Sequence, residues 1–156
     1  MVSKADDAVE VEVRIAAKPE TVFGFFIDPD KMARWKGIGA MLEPRPGGVY
    51  RVNINGRDIA LGRYMEVVPH SRVVFSWGWE GQESPVPPGS STVEVSLIPD
   101  GDGTIVRLRH LGLTAAARDA HREGWEHYLP RLVVAASGGD PGPDPWAAAP
   151  AQGNEN

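Results

Sequence analysis

STVEVSLIPDGDGTIVRLRHLGLTAAARDAHREGWEHYLPRLVVAA (residues 91–136) contains two strands, a tight turn and a long helix. In Ser91–Ile98 the apolar residues Val93, Val95 and Leu97 alternate with polar ones, the period of a strand with one buried face. Asp100-Gly101-Asp102-Gly103 is a turn. Thr104–Leu111 then sets Val106, Leu108 and His110 on one face and Ile105, Arg107 and Arg109 on the other. After Thr114, a plausible N-cap without a capping-box partner because Ala117 stands at the third position, the period changes. Trp125, Tyr128, Leu129, Leu132, Val133 and Ala136 form a helical stripe, ended by Gly138 and Gly139. Pro130 inside that helix should bend it or break one hydrogen bond. A strand hairpin feeding a long amphipathic helix needs a sheet on which to bury the stripe.

The upstream sequence supplies that sheet. Residues 8–15 put Val9, Val11, Val13 and Ile15 on one face, with Glu10, Glu12 and Arg14 on the other. Lys18-Pro19-Glu20 opens a short helix carrying Val22, Phe23, Phe26 and Ile27, and Asp28-Pro29 opens a second that runs to about Trp35. Further strands read as Met41–Arg45, Val49–Ile54, Asp58–Val68 and Arg72–Trp79. Asn55-Gly56 signals a type I′ hairpin between two of them. Gly81–Gly89, with three prolines, is loop. The order is one strand, two short helices, six strands and a long helix. It implies an α+β fold, with a curved antiparallel sheet of about seven strands against the C-terminal helix. The domain is expected over 8–139, between a flexible 1–7 and a mobile Pro/Gly-rich tail at 140–156 in which Trp146 is the anchor candidate.

Composition narrows the function. At 156 residues the chain suits one domain, and its net charge of −5 argues against nucleic acid as a partner. Hydrophobic residues make up 42% and charged ones 24%, enough apolar sequence for a core. Absence of cysteine excludes disulfides, thiolate metal sites and thiol nucleophiles. Apolar runs fall well short of the roughly 18 residues that span a membrane. The first residues carry no signal-peptide pattern, so a cytoplasmic protein without membrane insertion is expected. Arg outnumbers Lys 12 to 4, in keeping with a GC-rich bacterial gene.

Several segments, in this order, resemble the START-like (SRPBCC) superfamily, and most its branch related to the activator of the heat-shock protein 90 ATPase. They are Pro19-Glu20-Thr21-Val22-Phe23, Trp35, Pro46-Gly47-Gly48-Val49-Tyr50-Arg51, Gly62-Arg63-Tyr64-Met65-Glu66-Val67-Val68-Pro69, Gly103-Thr104 leading to His110, and Gly124-Trp125 with Leu129 and Leu132. The likeness covers about 8–138. It implies a helix-grip fold whose cavity, between sheet and C-terminal helix, binds small apolar or aromatic molecules. It also implies pairing of the first and last strands, which would set Glu10 and Glu12 against Arg107 and Arg109. No universal catalytic set comes with the family.

Candidate ligand-binding residues are therefore Trp35, Tyr50, Tyr64, Phe75, Trp77, His110, His121 and Trp125. Aromatic side chains offer contact area, and Tyr and Trp add a polar handle. Trp35, ending a short helix at the presumed mouth, reads as a lid. His110 is either a cavity group that titrates near neutrality or a hydrogen-bonded core histidine. His121, near the helix N-terminus, would be kept neutral by the dipole. The two imidazoles alone make a poor metal site, so neither metal nor other cofactor is expected. Glu66 has no partner acid at a spacing that fixes a pair, no serine sits in a nucleophile elbow, and no helix follows Gly101-Asp102-Gly103 to bind phosphate. No catalytic residue is assigned and the balance leans away from an enzyme. The main alternatives are a polyketide cyclase or aromatase using a cavity histidine as base, and a chaperone-cofactor-like interaction module. Exposed edge strands permit a homodimer.

Overall fold

The computed structural model describes residues 8–81 and 85–146. The chain runs β1 (Val9–Ile15), α1 (Pro19–Ile27), α2 (Pro29–Met32), β2 (Gly39–Leu42), β3 (Val49–Asn53), β4 (Ile59–Val68), β5 (Arg72–Trp77), β6 (Ser91–Asp100), β7 (Gly103–Leu111) and α3 (Ala115–Ala136). One seven-stranded antiparallel sheet forms in the order β1-β7-β6-β5-β4-β3-β2. This is the expected α+β helix-grip architecture. The N-terminal residues 1–7 expected to be flexible and the tail residues 147–156 expected to be mobile lie outside the described residues, as do 82–84 of the loop.

Alternation decides the faces. Val93, Val95 and Leu97 of β6 and Val106, Leu108 and His110 of β7 are buried together. On the opposite face Glu10 pairs with Arg109 at 3.0 Å and Glu12 with Arg107 at 3.1 Å, in the register β1 and β7 adopt. Such exposed cross-strand pairs contribute roughly 0.2–1 kcal/mol each. The helix stripe meets the inner face through Trp125, Tyr128, Leu129 and Leu132, all buried.

The caps form as their chemistry demands. Asp28 accepts hydrogen bonds from the backbone N–H groups of Asp30 and Lys31, and Thr114 from that of Ala117. Pro130 is exposed, and α3 continues through it to Ala136. The bond it cannot donate would have gone to Glu126, also on the exposed side, where water can replace it.

Some boundaries differ from expectation. Helix α2 stops at Met32 and continues only as turns to Trp35. Strand β2 starts at Gly39 and ends at Leu42, before Pro44, which has no N–H for a ladder. Strand β5 ends at Trp77, and Trp79 keeps a single bridge to Ala60. Asn55-Gly56 does not form a type I′ turn, which needs positive φ at both central residues. Gly56 has φ +93°, but Asn55 is not in the positive region. Instead Asn55 Oδ1 accepts from the N–H groups of Arg57 and Asp58, making a longer loop.

A bulge between Tyr64 and Glu66 breaks the β4–β5 register, and β4 approaches β5 closely at Gly62. There a side chain would collide with the carbonyl of Ser76. A bulge bends its strand and raises the local twist.

Candidate functional site

Where β5 ends and the middle of α3 passes over the sheet, the two layers leave an opening of about 280 Å³. Trp77 and Trp79 form the sheet wall, and His121, Gly124, Trp125 and Tyr128 the helix wall. Ile54, Asn55 and Asp58 of the β3–β4 loop, Trp146 and the buried Lys36 complete the lining. Ligand pockets span about 300–1,000 Å³, and this opening lies just below that range.

Lys36 is the unexpected member. The turn after α2 holds its backbone, with Lys36 N–H bonded to Met32 O at 2.9 Å. The residue is 3% exposed. Its Nζ donates to the Tyr50 hydroxyl at 3.2 Å and lies 4.3 Å from the Trp77 ring centre and 4.2 Å from that of Trp125. Among the described residues no carboxylate comes within ion-pairing distance of it. Burial therefore holds the amine well below the usual lysine range. Burial, then neighbouring Tyr64, raise Tyr50 well above the usual phenol range, so its hydroxyl stays protonated.

His121 on the cavity wall and His110 behind it are both committed to neighbours. His110 Nδ1 accepts from Trp125 Nε1 at 3.0 Å. Its Nε2 lies 2.9 Å from Ser91 Oγ, whose own proton goes to Trp77 O at 2.9 Å. Nε2 must therefore carry the hydrogen, and the ring is neutral with both nitrogens in use. Burial chiefly, then His121 and Lys36, push His110 down to about 3. His121 Nε2 accepts from Trp79 Nε1 at 3.0 Å, and its Nδ1 donates to Ala117 O at 2.8 Å. Burial lowers it, opposed by the Ala117 carbonyl and reinforced by Lys36. The imidazoles stand edge to face 5.3 Å apart. Each fixes one indole of the cavity wall.

Beyond α3, residues 140–146 of the segment expected to be mobile are docked. Arg131 donates to Gly142 O at 2.8 Å, Pro141 O at 3.4 Å and Trp35 O at 3.2 Å. Asp144 meets His127 at 2.8 Å, and Trp146 stacks on the His127 ring at 3.9 Å.

Of the eight candidate residues, Trp77, His121 and Trp125 line the opening. Trp35, expected as a lid, is 1% exposed and donates its indole N–H to Phe25 O at 3.0 Å, so it packs in the core. Tyr64 likewise turns inward and donates to Phe26 O at 2.9 Å. Phe75 stacks on Tyr50 at 4.0 Å, and both lie behind the cavity wall, as does His110. Lys36, Tyr128 and the loop residues were not legible. Lys36 sits in a turn, where no periodicity separates inward from outward, and its sole signal is adjacency to Trp35.

The family model described as Activator of Hsp90 ATPase homolog 1-like protein matches residues 16–137. The solution structure of an AHSA1-like protein from Rhizobium etli is 51% identical, covering 89% of this chain and 87% of its own, with a TM-score of 0.70. Crystalline CalU16 from Micromonospora echinospora is 27% identical over 84% of this chain and 76% of its own, with a TM-score of 0.67. The Aha1 dimer from Colwellia psychrerythraea shares the fold at 18% identity and a TM-score of 0.71, covering 85% of this chain and 97% of its own. No curated protein matches.

Proposed function

Because the chain belongs to the Activator of Hsp90 ATPase homolog 1-like family, with its START-like (SRPBCC) fold, we propose that it binds a small apolar or aromatic molecule between sheet and α3. The observation that carries this proposal is the 280 Å³ opening walled by three indoles. Trp77, Trp79 and Trp125 would supply flat contact, and Lys36 the polar end. Trp77 Nε1 is buried without a partner in that wall and would be satisfied by a ligand acceptor. The cyclase alternative loses support, since neither His110 nor His121 has a free ring nitrogen to act as base. A second copy of the chain is a further proposed partner, prompted by the Colwellia psychrerythraea dimer and checked by light scattering.

Naphthalene is a suitable probe. It should quench the tryptophan fluorescence saturably and shift the indole N–H resonances of Trp77, Trp79 and Trp125. Unmoved resonances at these three positions, with naphthalene at its solubility limit, would refute the proposal.

A further inference from the structure

We infer that the cavity takes an apolar aldehyde and holds it covalently, as an imine on Lys36 Nζ. This deepens the ligand-binding proposal above and rests on it. Three geometric facts point to it. Lys36 is the one buried lysine among the described residues, since Lys18 and Lys31 are exposed. Its side chain lines the opening. Its Nζ has a hydroxyl on one side, two indole faces at 4.2 and 4.3 Å, and no carboxylate to pair with.

The competing role is that of an ammonium ion awaiting an acidic ligand. Indole faces do favour a cation, by up to about 2 kcal/mol where water is excluded. Removing an ammonium from water costs several kcal/mol even after relaxation. Desolvation outweighs that attraction and favours the neutral amine, in keeping with the lowered Lys36 pKa. A neutral amine in an apolar pocket is a nucleophile for carbonyl carbon.

The chemistry balances without another reactant. The Nζ lone pair attacks the aldehyde carbon, and the carbonyl π pair moves to oxygen. That oxygen then leaves as water, taking the two amine hydrogens, and a C=N bond remains. Water can escape because the cavity is open to solvent. Tyr50 anchors Nζ at the start of this sequence. The titratable groups around the amine are Tyr50 on β3, His110 on β7 and His121 on α3, with Asp58 and Tyr128 on the cavity wall.

The test is trapping on the intact chain. The protein is incubated with 2-naphthaldehyde and sodium cyanoborohydride at pH 7, then weighed and peptide-mapped. One reduced adduct is expected, on Lys36, forming at least about tenfold faster than on Lys18 or Lys31, since each unit of pKa depression raises the neutral fraction tenfold. Labelling at Lys36 should fall less steeply between pH 9 and 7 than at a solvated amine, which slows about tenfold for each unit below its pKa. Lys36→Arg and Lys36→Met should both lose the adduct. Adducts confined to Lys18, Lys31 and other surface amines, with naphthalene still bound, would overturn the imine and leave the cavity proposal standing. If naphthalene also fails to bind, both fall.

Discussion

Gly124 is the position where cavity and stability can be tested together. It is the tenth residue of α3 and lines the opening. A Cβ built there meets nothing within 4 Å. Its φ is not positive, so an L side chain carries no backbone strain. Gly124→Ala should then raise stability by the helix-propensity difference, about 0.8–1.0 kcal/mol. In a chain of 156 residues that is roughly 2–4 °C in melting temperature. Gly124→Leu should do at least as well, because leucine is nearly as good a helix former and gains up to about 1.5 kcal/mol by burying apolar surface. Unlike alanine, leucine would occupy the cavity, so naphthalene quenching should be lost. Gly62→Ala is the contrasting case, since its Cβ would collide with the Ser76 carbonyl and the strands must part. It should cost about 1–3 kcal/mol. Circular-dichroism melts of the three variants, with naphthalene titrations, measure all of this. A lower melting temperature for Gly124→Ala would show that the space is not open. Wild-type naphthalene affinity in Gly124→Leu would show that ligands bind elsewhere.

Lys36→Met should stabilise the unliganded protein by about 1–3 kcal/mol in urea unfolding, because it removes a buried polar group with one hydrogen bond and no counter-charge; a loss of stability would contradict the desolvation argument. Acid should act through His110, whose folded value of about 3 lies below its ordinary 6.5. The unfolded chain takes up that proton first, so stability is complete above pH 6.5 and falls between 6.5 and 3. His110 alone should lower it by about 1.4 kcal/mol per pH unit, and equal urea stabilities at pH 7.5 and 5.5 would refute this. Arg131→Ala should free residues 140–146, cost about 1.5–3 kcal/mol and raise the solvent exposure of Trp146, seen as increased acrylamide quenching.

Depth and rim were harder to read than faces. Phe75 and Trp77 share the inner face of β5, yet Phe75 stacks on Tyr50 while Trp77 borders the cavity. Alternation reports which side of a sheet a residue takes, and not how far along the strand the helix lifts away. His110 shows the same limit. Its inward position was legible, but the engagement of both nitrogens depends on Ser91, 19 residues back, and Trp125, 15 residues on. Residues 140–146 read as mobile because Pro, Gly and Ala bring little to bury. They are docked on α3 by Arg131, which donates to the Pro141 and Gly142 carbonyls, and by His127, which meets Asp144 and stacks on Trp146.

From the sequence alone, the element order, the strand faces and both helix caps could be read, while the charged ladder of Glu10, Glu12, Arg107 and Arg109 followed only from the pairing that the family resemblance implies. The first three rest on periodicity and on bonds between near neighbours. Tertiary structure alone decided the site. A lysine in a featureless turn became the polar end of an aromatic cavity because α2, β3, β5 and α3 close around it. Its burial, and hence its chemistry, belongs to those four elements together.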